Sequence, residues 1–158
     1  MYRVLDVCRH IIKYSNDRRY GISNLKLQKL LYFIQAYFLI VRDEPCFIEQ
    51  IEAWDLGPVV PEAYHAYKQF GSNDIPFLDS FVRFDEKNPW NPDYVQYIDS
   101  VITEDDKAII NLVIDKFADY TATDLVALTH KQLPWKQAYV PGENRIIELK
   151  EIKAYFAA

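Results

Sequence analysis

Glycine is scarce in this sequence: four residues, at positions 21, 57, 71 and 142, in a chain of 158. Spread that widely, they cannot build a glycine-rich phosphate loop, and the G-x-S-x-G turn of a serine hydrolase is also missing. Cysteine is scarcer. Cys8 and Cys46 form no C-x-x-C pair, so the spacing signals neither zinc nor redox chemistry. Cys8 falls on an apolar stripe and reads as a small core residue. No H-E-x-x-H motif accompanies the three histidines, His10, His65 and His130, and no cofactor or metal is expected.

Positive charge is also short, with a formal net charge of −5. Binding to phosphate backbones draws most of its free energy from lysine and arginine. The balance therefore argues against a nucleic-acid partner, leaving only Arg18-Arg19, Lys26 and Lys29 as a small basic patch. An acidic surface suits a basic protein partner, or simply solubility. The longest apolar-rich run, Leu30 to Val41, contains Gln35 and falls short of the roughly 20 residues that span a membrane. The amino terminus carries Asp6, Arg9 and His10 and has no secretory pattern. The expectation is a soluble cytoplasmic protein with no membrane partner.

What the sequence has is a hydrophobic half, 50% of residues, rich in aromatics at 15%. That is enough for one compact domain over residues 1–158. Val4, Val7, Cys8, Ile11 and Ile12 recur at helical spacing from Tyr2 to about Ser15. After a cap at Ser23 or Asn24, Leu25 to Val41 is apolar nearly all round, which places it at the centre of the fold. Lys26 and Lys29 in its first turns read as solvated. Phe47 to Trp54 reads as a short strand, and Pro61 as the first residue of a helix that Gly71 stops. Residues Ser72 to Pro92 read as extended chain, through Phe77, Phe81 and Phe84, pairing with Phe47–Trp54. Asn88 to Pro92 reads as a turn cluster. Thr103 with Asp106 resembles a capping box opening a helix to about Asp119. Thr121 or Thr123 caps a short helix, Pro134-Trp135 starts another turn, and Glu148 to Phe156 closes the chain. The fold expected is mainly α: a compact helical bundle around a buried central helix, with one small two- or three-stranded β-sheet.

The stretch "IEAWDLGPVVPEAYHAYK", Ile51 to Lys68, stiffens the backbone more than any other. Gly57 permits a tight bend, Pro58 restrains it and Pro61 starts a helix. Val59 and Val60 are expected to anchor the corner in the core. His130, in "LTHKQLPW", has two readings: a general base in a small hydrolase, or a structural hydrogen bond fixing the turn before Pro134-Trp135. The second is preferred, because no nucleophile or second ligand lies nearby in sequence. His65 is expected on the surface. Glu49, Glu52, Asp55 and Glu62 read as a solvated acidic edge or an electrostatic face for a basic partner. Trp54, Tyr64, Tyr67, Trp90 and Trp135 stand near turns or helix edges, where aromatics serve cores and interfaces alike.

Three stretches carry a resemblance: "KLQKLLYFIQAYFLI" (Lys26 to Ile40), "IEAWDLGPVVPEAYHAYKQFG" (Ile51 to Gly71) and "LVALTHKQLPWKQA" (Leu125 to Ala138). In this order they resemble the Panacea domain, the SocA-like antitoxin domain also met in phage-associated GepA-like proteins. Where the family often carries an acidic residue between the histidine and the Pro-Trp pair, this chain has Lys131, Gln132 and Leu133. The chain reads as a bare domain without an appended DNA-binding segment, which argues against autorepression. The resemblance implies an antitoxin, not an enzyme, from a type II-like toxin–antitoxin system, chromosomal or phage-borne. It would neutralise a cognate protein toxin by direct contact or, in a SocA-like variant, act as an adaptor delivering the toxin to a cellular protease. Catalytic residues do not carry over. The surface expected to meet the partner is Trp54, Asp55, Tyr64, Tyr67 and Lys68; oligomeric state is left open.

Overall fold

A computed structural model describes residues 1–85 and 88–158, and side chains except those of residues 81–89 and 95. Its centre is α2 (Asn24–Val41), preceded by α1 (Val4–Asp17). The Ser23 hydroxyl accepts the Lys26 amide at 3.3 Å and so fixes where α2 begins. From there α2 is sheathed by α1, by α3 (Pro61–Tyr67), and by α4 (Glu104–Lys116), α5 (Ala122–His130) and α7 (Leu149–Ala157). Surrounded on all sides, it can be apolar all round: Leu27, Leu30, Leu31, Tyr32 and Ile34 are each within 1% of complete burial. The expected helical bundle around a buried helix is what forms.

A three-stranded antiparallel sheet closes one flank, in the order β2 (Gly57–Val59), β1 (Ile51–Trp54), β5 (Ile146–Ile147). Trp54 pairs with Gly57 across the turn at Asp55-Leu56, and Ile51 pairs with Ile147. The two-residue β5 gives no periodicity to read. It is recruited because the chain between α6 (Leu133–Ala138) and α7 runs along β1.

The segment after α3 departs from expectation. A 3-10 turn, Lys68–Phe70, continues α3 to Gly71. Beyond it, β3 (Ser80–Asp85) and β4 (Asn88–Gln96) pair with each other as a separate two-stranded sheet, not with Phe47–Trp54. Asn88 to Pro92 is strand, not a turn cluster. A two-stranded sheet has only edges, where a proline's missing N–H is tolerated, and the register shifts between Arg83 and Asp85. Residues 86 and 87 of the expected extended stretch lie outside the described residues. The base of this hairpin is held by Arg9. Its guanidinium lies 5.0 Å from the Phe77 ring and 5.4 Å from that of Tyr97, and it pairs with Asp79 at 3.6 Å and with Asp99.

Caps mark the remaining boundaries. The Thr103 hydroxyl accepts the Asp106 amide at 3.2 Å, but the Asp106 carboxylate accepts a hydrogen bond from the Tyr2 hydroxyl at 2.5 Å and pairs with Arg42. The box is thus half made there. It is complete at Thr121–Asp124, where each side chain takes the other residue's amide. Cys8 is buried, as expected. No helix among the described residues is long and apolar enough to cross a membrane.

Candidate functional site

The corner between β1 and α3 is built from backbone that cannot satisfy itself. Gly57, Pro58, Val59 and Val60 are all buried, yet β2 has a strand neighbour on one side only, and Pro58 has no N–H. A buried polar backbone group left without a partner is costly. Partners come from α2, where Asn24, Gln28, Tyr32 and Gln35 recur every three or four residues and so share one face; of these Gln28 reaches the corner itself, while Tyr32 donates to Gln132. Gln28 accepts the Val60 amide at 3.0 Å and donates to Asn24 at 2.9 Å; Asn24 donates to the Tyr64 carbonyl at 3.0 Å. Gln35 accepts the Cys46 and Phe47 amides and donates to the Phe47 carbonyl.

Lys29 corrects the expectation of a solvated lysine. It is fully buried, and its Nζ donates to the Pro58 carbonyl at 3.1 Å. Burial alone pulls its pKa down to about 7. Lys26 is half-buried and donates to the Ala118 carbonyl near the end of α4. A cation in the first turns of a helix reads as solvated unless a backbone carbonyl arrives from another segment, which sequence spacing does not show.

From the other side, α5 and α6 grip the turn. His130 Nε2 donates to the Asp55 carbonyl at 2.9 Å, and Trp135 Nε1 to the Trp54 carbonyl at 2.8 Å. The Tyr139 hydroxyl donates to the Asp55 carboxylate at 2.5 Å, which raises the phenol above its usual range. The three rings stack: His130 on Trp135 at 4.2 Å, Trp135 on Tyr139 at 4.5 Å. His130 therefore makes a structural hydrogen bond, but one that fixes the β1–β2 turn 75 residues away rather than its own. Thr129 stands directly beneath Gly57.

Beside this clasped corner opens a cleft of about 550 Å³. Trp54, Asp55, Tyr64 and Lys68 line it, as do Leu56, Val59 and Asn144. Trp54 and Tyr64 meet edge to face at 5.0 Å, and the Trp54 indole N–H donates to Glu52. Tyr67, expected on this surface, is instead core: it is 2% exposed, and its hydroxyl is 2.8 Å from that of Tyr97. Ala63 and Tyr67, one helical turn apart, form the inward face of α3 and leave Tyr64 on its shoulder. His65 is exposed, as expected.

Asp55 and Glu62 of the expected acidic edge are exposed and Glu49 and Glu52 half-buried, and three of the four accept hydrogen bonds. Glu49 accepts the Val4 amide at the start of α1, Glu52 is taken by Trp54, and Asp55 by Tyr139. Leu56, 54% exposed at the tip of the turn, is a cleft residue that the sequence reading missed. An apolar residue between Asp55 and Gly57, where a turn prefers polar ones, was its signal. A larger hollow, about 740 Å³, lies between α6 and α7 and draws on none of the clasped corner.

Comparison with known proteins bears on the same residues. The model of the family described as "Antitoxin SocA-like, Panacea domain" matches residues 27–136, well over half of the chain. The Antitoxin SocA of Caulobacter vibrioides (strain NA1000 / CB15N) is 46% identical over 54 residues, 34% of this chain and 29% of that protein. The chain thus matches under a third of that relative's length. No solved structure matches it. The matched span contains Gln28, Lys29, Tyr32 and Gln35 of α2, the Gly-Pro corner and the Thr129–Trp135 part of the grip; Asn24 and Tyr139 lie just outside it. The chain belongs to the Antitoxin SocA-like, Panacea domain family.

Proposed function

We propose that this protein is the antitoxin of a type II-like toxin–antitoxin pair. Acting in the cytoplasm as one domain over residues 1–158, it holds a cognate protein toxin by direct contact at the cleft of Trp54, Leu56, Tyr64 and Lys68. One observation carries the reading: the three segments that resemble the family converge on a single corner, and that corner presents the cleft. A surface clasped from two sides loses little entropy on binding, so its aromatic and aliphatic contacts count nearly in full. The name of the matched relative supports an antitoxin role. A binding role without catalysis also fits His130, whose Nε2 is committed to a backbone carbonyl and whose ring is stacked on Trp135.

The test is co-expression with the gene next to this one. The protein should rescue growth, whereas Leu56→Asp and Tyr64→Ala, folded by circular dichroism, should not. Rescue undiminished by both variants would sink the cleft as the docking site. Rescue that depends on a protease, with a toxin half-life shortened by this protein, would replace sequestration by delivery.

A further inference from the structure

Lys29 is the buried titratable group that the docking reading leaves unused. Its amine lies under the Gly57–Pro58 corner, with zero exposure and one carbonyl, that of Pro58, as its described partner. The elements packed around it offer no compensating charge. On α2, Lys26 donates to Ala118; on α5, Asp124 is held in the capping box with Thr121, and His130 donates to Asp55. In the β1–β2 turn Asp55 is taken by Tyr139; on α3, Glu62 and His65 are exposed. The Thr129 hydroxyl beside it donates to the Leu125 and Val126 carbonyls. Burial alone accounts for its lowered proton affinity.

A neutral amine donates one N–H to the Pro58 carbonyl and leaves one N–H and its lone pair without a described partner, but it buries no charge. An ammonium brings three protons to that same carbonyl, so two lack a described acceptor. Gly57 stands against the end of the Lys29 side chain, and its φ of +110° and missing side chain make it the natural pivot, next to the exposed Leu56. We propose that Lys29 is a proton-operated latch: its protonation favours lifting of the Gly57–Pro58 corner off α2, and the neutral amine favours the closed cleft. The consequence for toxin binding rests on the docking reading; the latch itself does not.

The test needs no toxin. Native-state amide exchange is followed at Val60, whose N–H is closed onto Gln28, in low urea. Opening should be insensitive to that urea, which marks it as local. The opening equilibrium should rise about tenfold per unit as pH falls from about 9 to about 7, then level off, because the closed form then takes up the proton too. In Lys29→Met, with His65 and His130 retained, it should be flat. Opening that occurs only with global unfolding overturns the latch, as does a pH dependence that survives Lys29→Met. Should that variant not fold, the Lys29 Cε resonance of the unaltered protein decides: titration near 7 supports the latch, and titration in the ordinary lysine range overturns it. A failed latch leaves the growth-rescue test untouched, and failed rescue leaves the exchange result standing.

Discussion

Replacing Gly57 by alanine should be among the most damaging single changes in this protein, and its cost can be built from two parts. The first is conformational: at φ +110° a side chain is strained, by about 1–3 kcal/mol. The second is steric. A Cβ at this position would stand 2.8 Å from Lys29 Cε and 2.8 Å from Thr129 Oγ1. Neither neighbour can swing aside, because both are fully buried and both are held by hydrogen bonds to carbonyls. Forcing a methyl into such a site costs about 1–3 kcal/mol. The sum, about 2–6 kcal/mol, is a large share of the roughly 5–15 kcal/mol that holds a domain folded. Urea unfolding measures it, and Gly71→Ala is the control. There φ is also positive, at +56°, but nothing lies within 4 Å of the added carbon, so only the conformational part should appear. Adding Thr129→Ala to Gly57→Ala should recover part of the steric cost, read as a coupling of about 1 kcal/mol in the double-mutant cycle. Equal losses for Gly57→Ala and Gly71→Ala, to within about 0.5 kcal/mol, would refute the clasped-corner account.

Lys29→Met should change how stability depends on pH. The folded pKa of about 7 lies below the ordinary 10.5, so the folded state binds fewer protons. The penalty is therefore complete below pH 7, at about 5 kcal/mol, and is relieved as pH rises from 7 towards 10.5. The unaltered protein should gain on the variant by about 1.4 kcal/mol per pH unit across that window in urea unfolding, and parallel curves would count against the buried amine. Gln35→Ala strips partners from two buried amides and a carbonyl at Cys46 and Phe47, so it should cost about 3–5 kcal/mol, against under about 0.5 for the exposed Gln69→Ala. Thr121→Ala, which breaks a complete capping box, should lose about 1 kcal/mol and lower the thermal midpoint by a few degrees. A loss no greater than that of exposed Thr123→Ala would show that the box contributes nothing.

The helices were legible because their signals are local. Leu25 to Val41 gave itself away by being apolar all round, and Ser23 by its position ahead of it. Those features need no knowledge of the rest of the chain. The site was half legible. The corner from Trp54 to Pro61 announced itself through Gly57 and its prolines, and four of the five residues expected on the docking surface line one cleft. Tyr67 misled because a seven-residue helix has too few positions for its inward face to be assigned from spacing. Asn88 to Pro92 misled because proline is turn punctuation in most contexts and merely tolerated on an edge strand. Lys29, Gln28 and Gln35 were opaque for another reason. Their partners are backbone groups 11 to 32 residues away, and nothing in sequence marks a carbonyl or an amide as lacking its own strand.

That missing strand explains why polar side chains sit in the core of so apolar a helix. The β2 strand is three residues long, is buried, and includes a proline. On its outer side an ordinary sheet would place another strand, and here α2 lies instead. A helix has no free backbone groups in its middle turns to offer, so the ladder must be completed by side chains. Gln28 and Lys29 serve where a strand's carbonyl and amide would: one accepts the Val60 N–H, the other donates to the Pro58 carbonyl. An all-leucine α2 would bury more apolar surface and still leave both groups unpaired, at about 1–3 kcal/mol each. The polar residues fix the position of the corner against the helix to within a hydrogen bond's tolerance, and hydrophobic packing, being non-directional, does not. Because the cleft is shaped by that position, its geometry depends on residues that never reach the surface. Gln28→Leu should therefore weaken growth rescue more than its loss of stability alone accounts for. A variant whose rescue falls only in proportion to its folded fraction would separate the clasp from the docking surface.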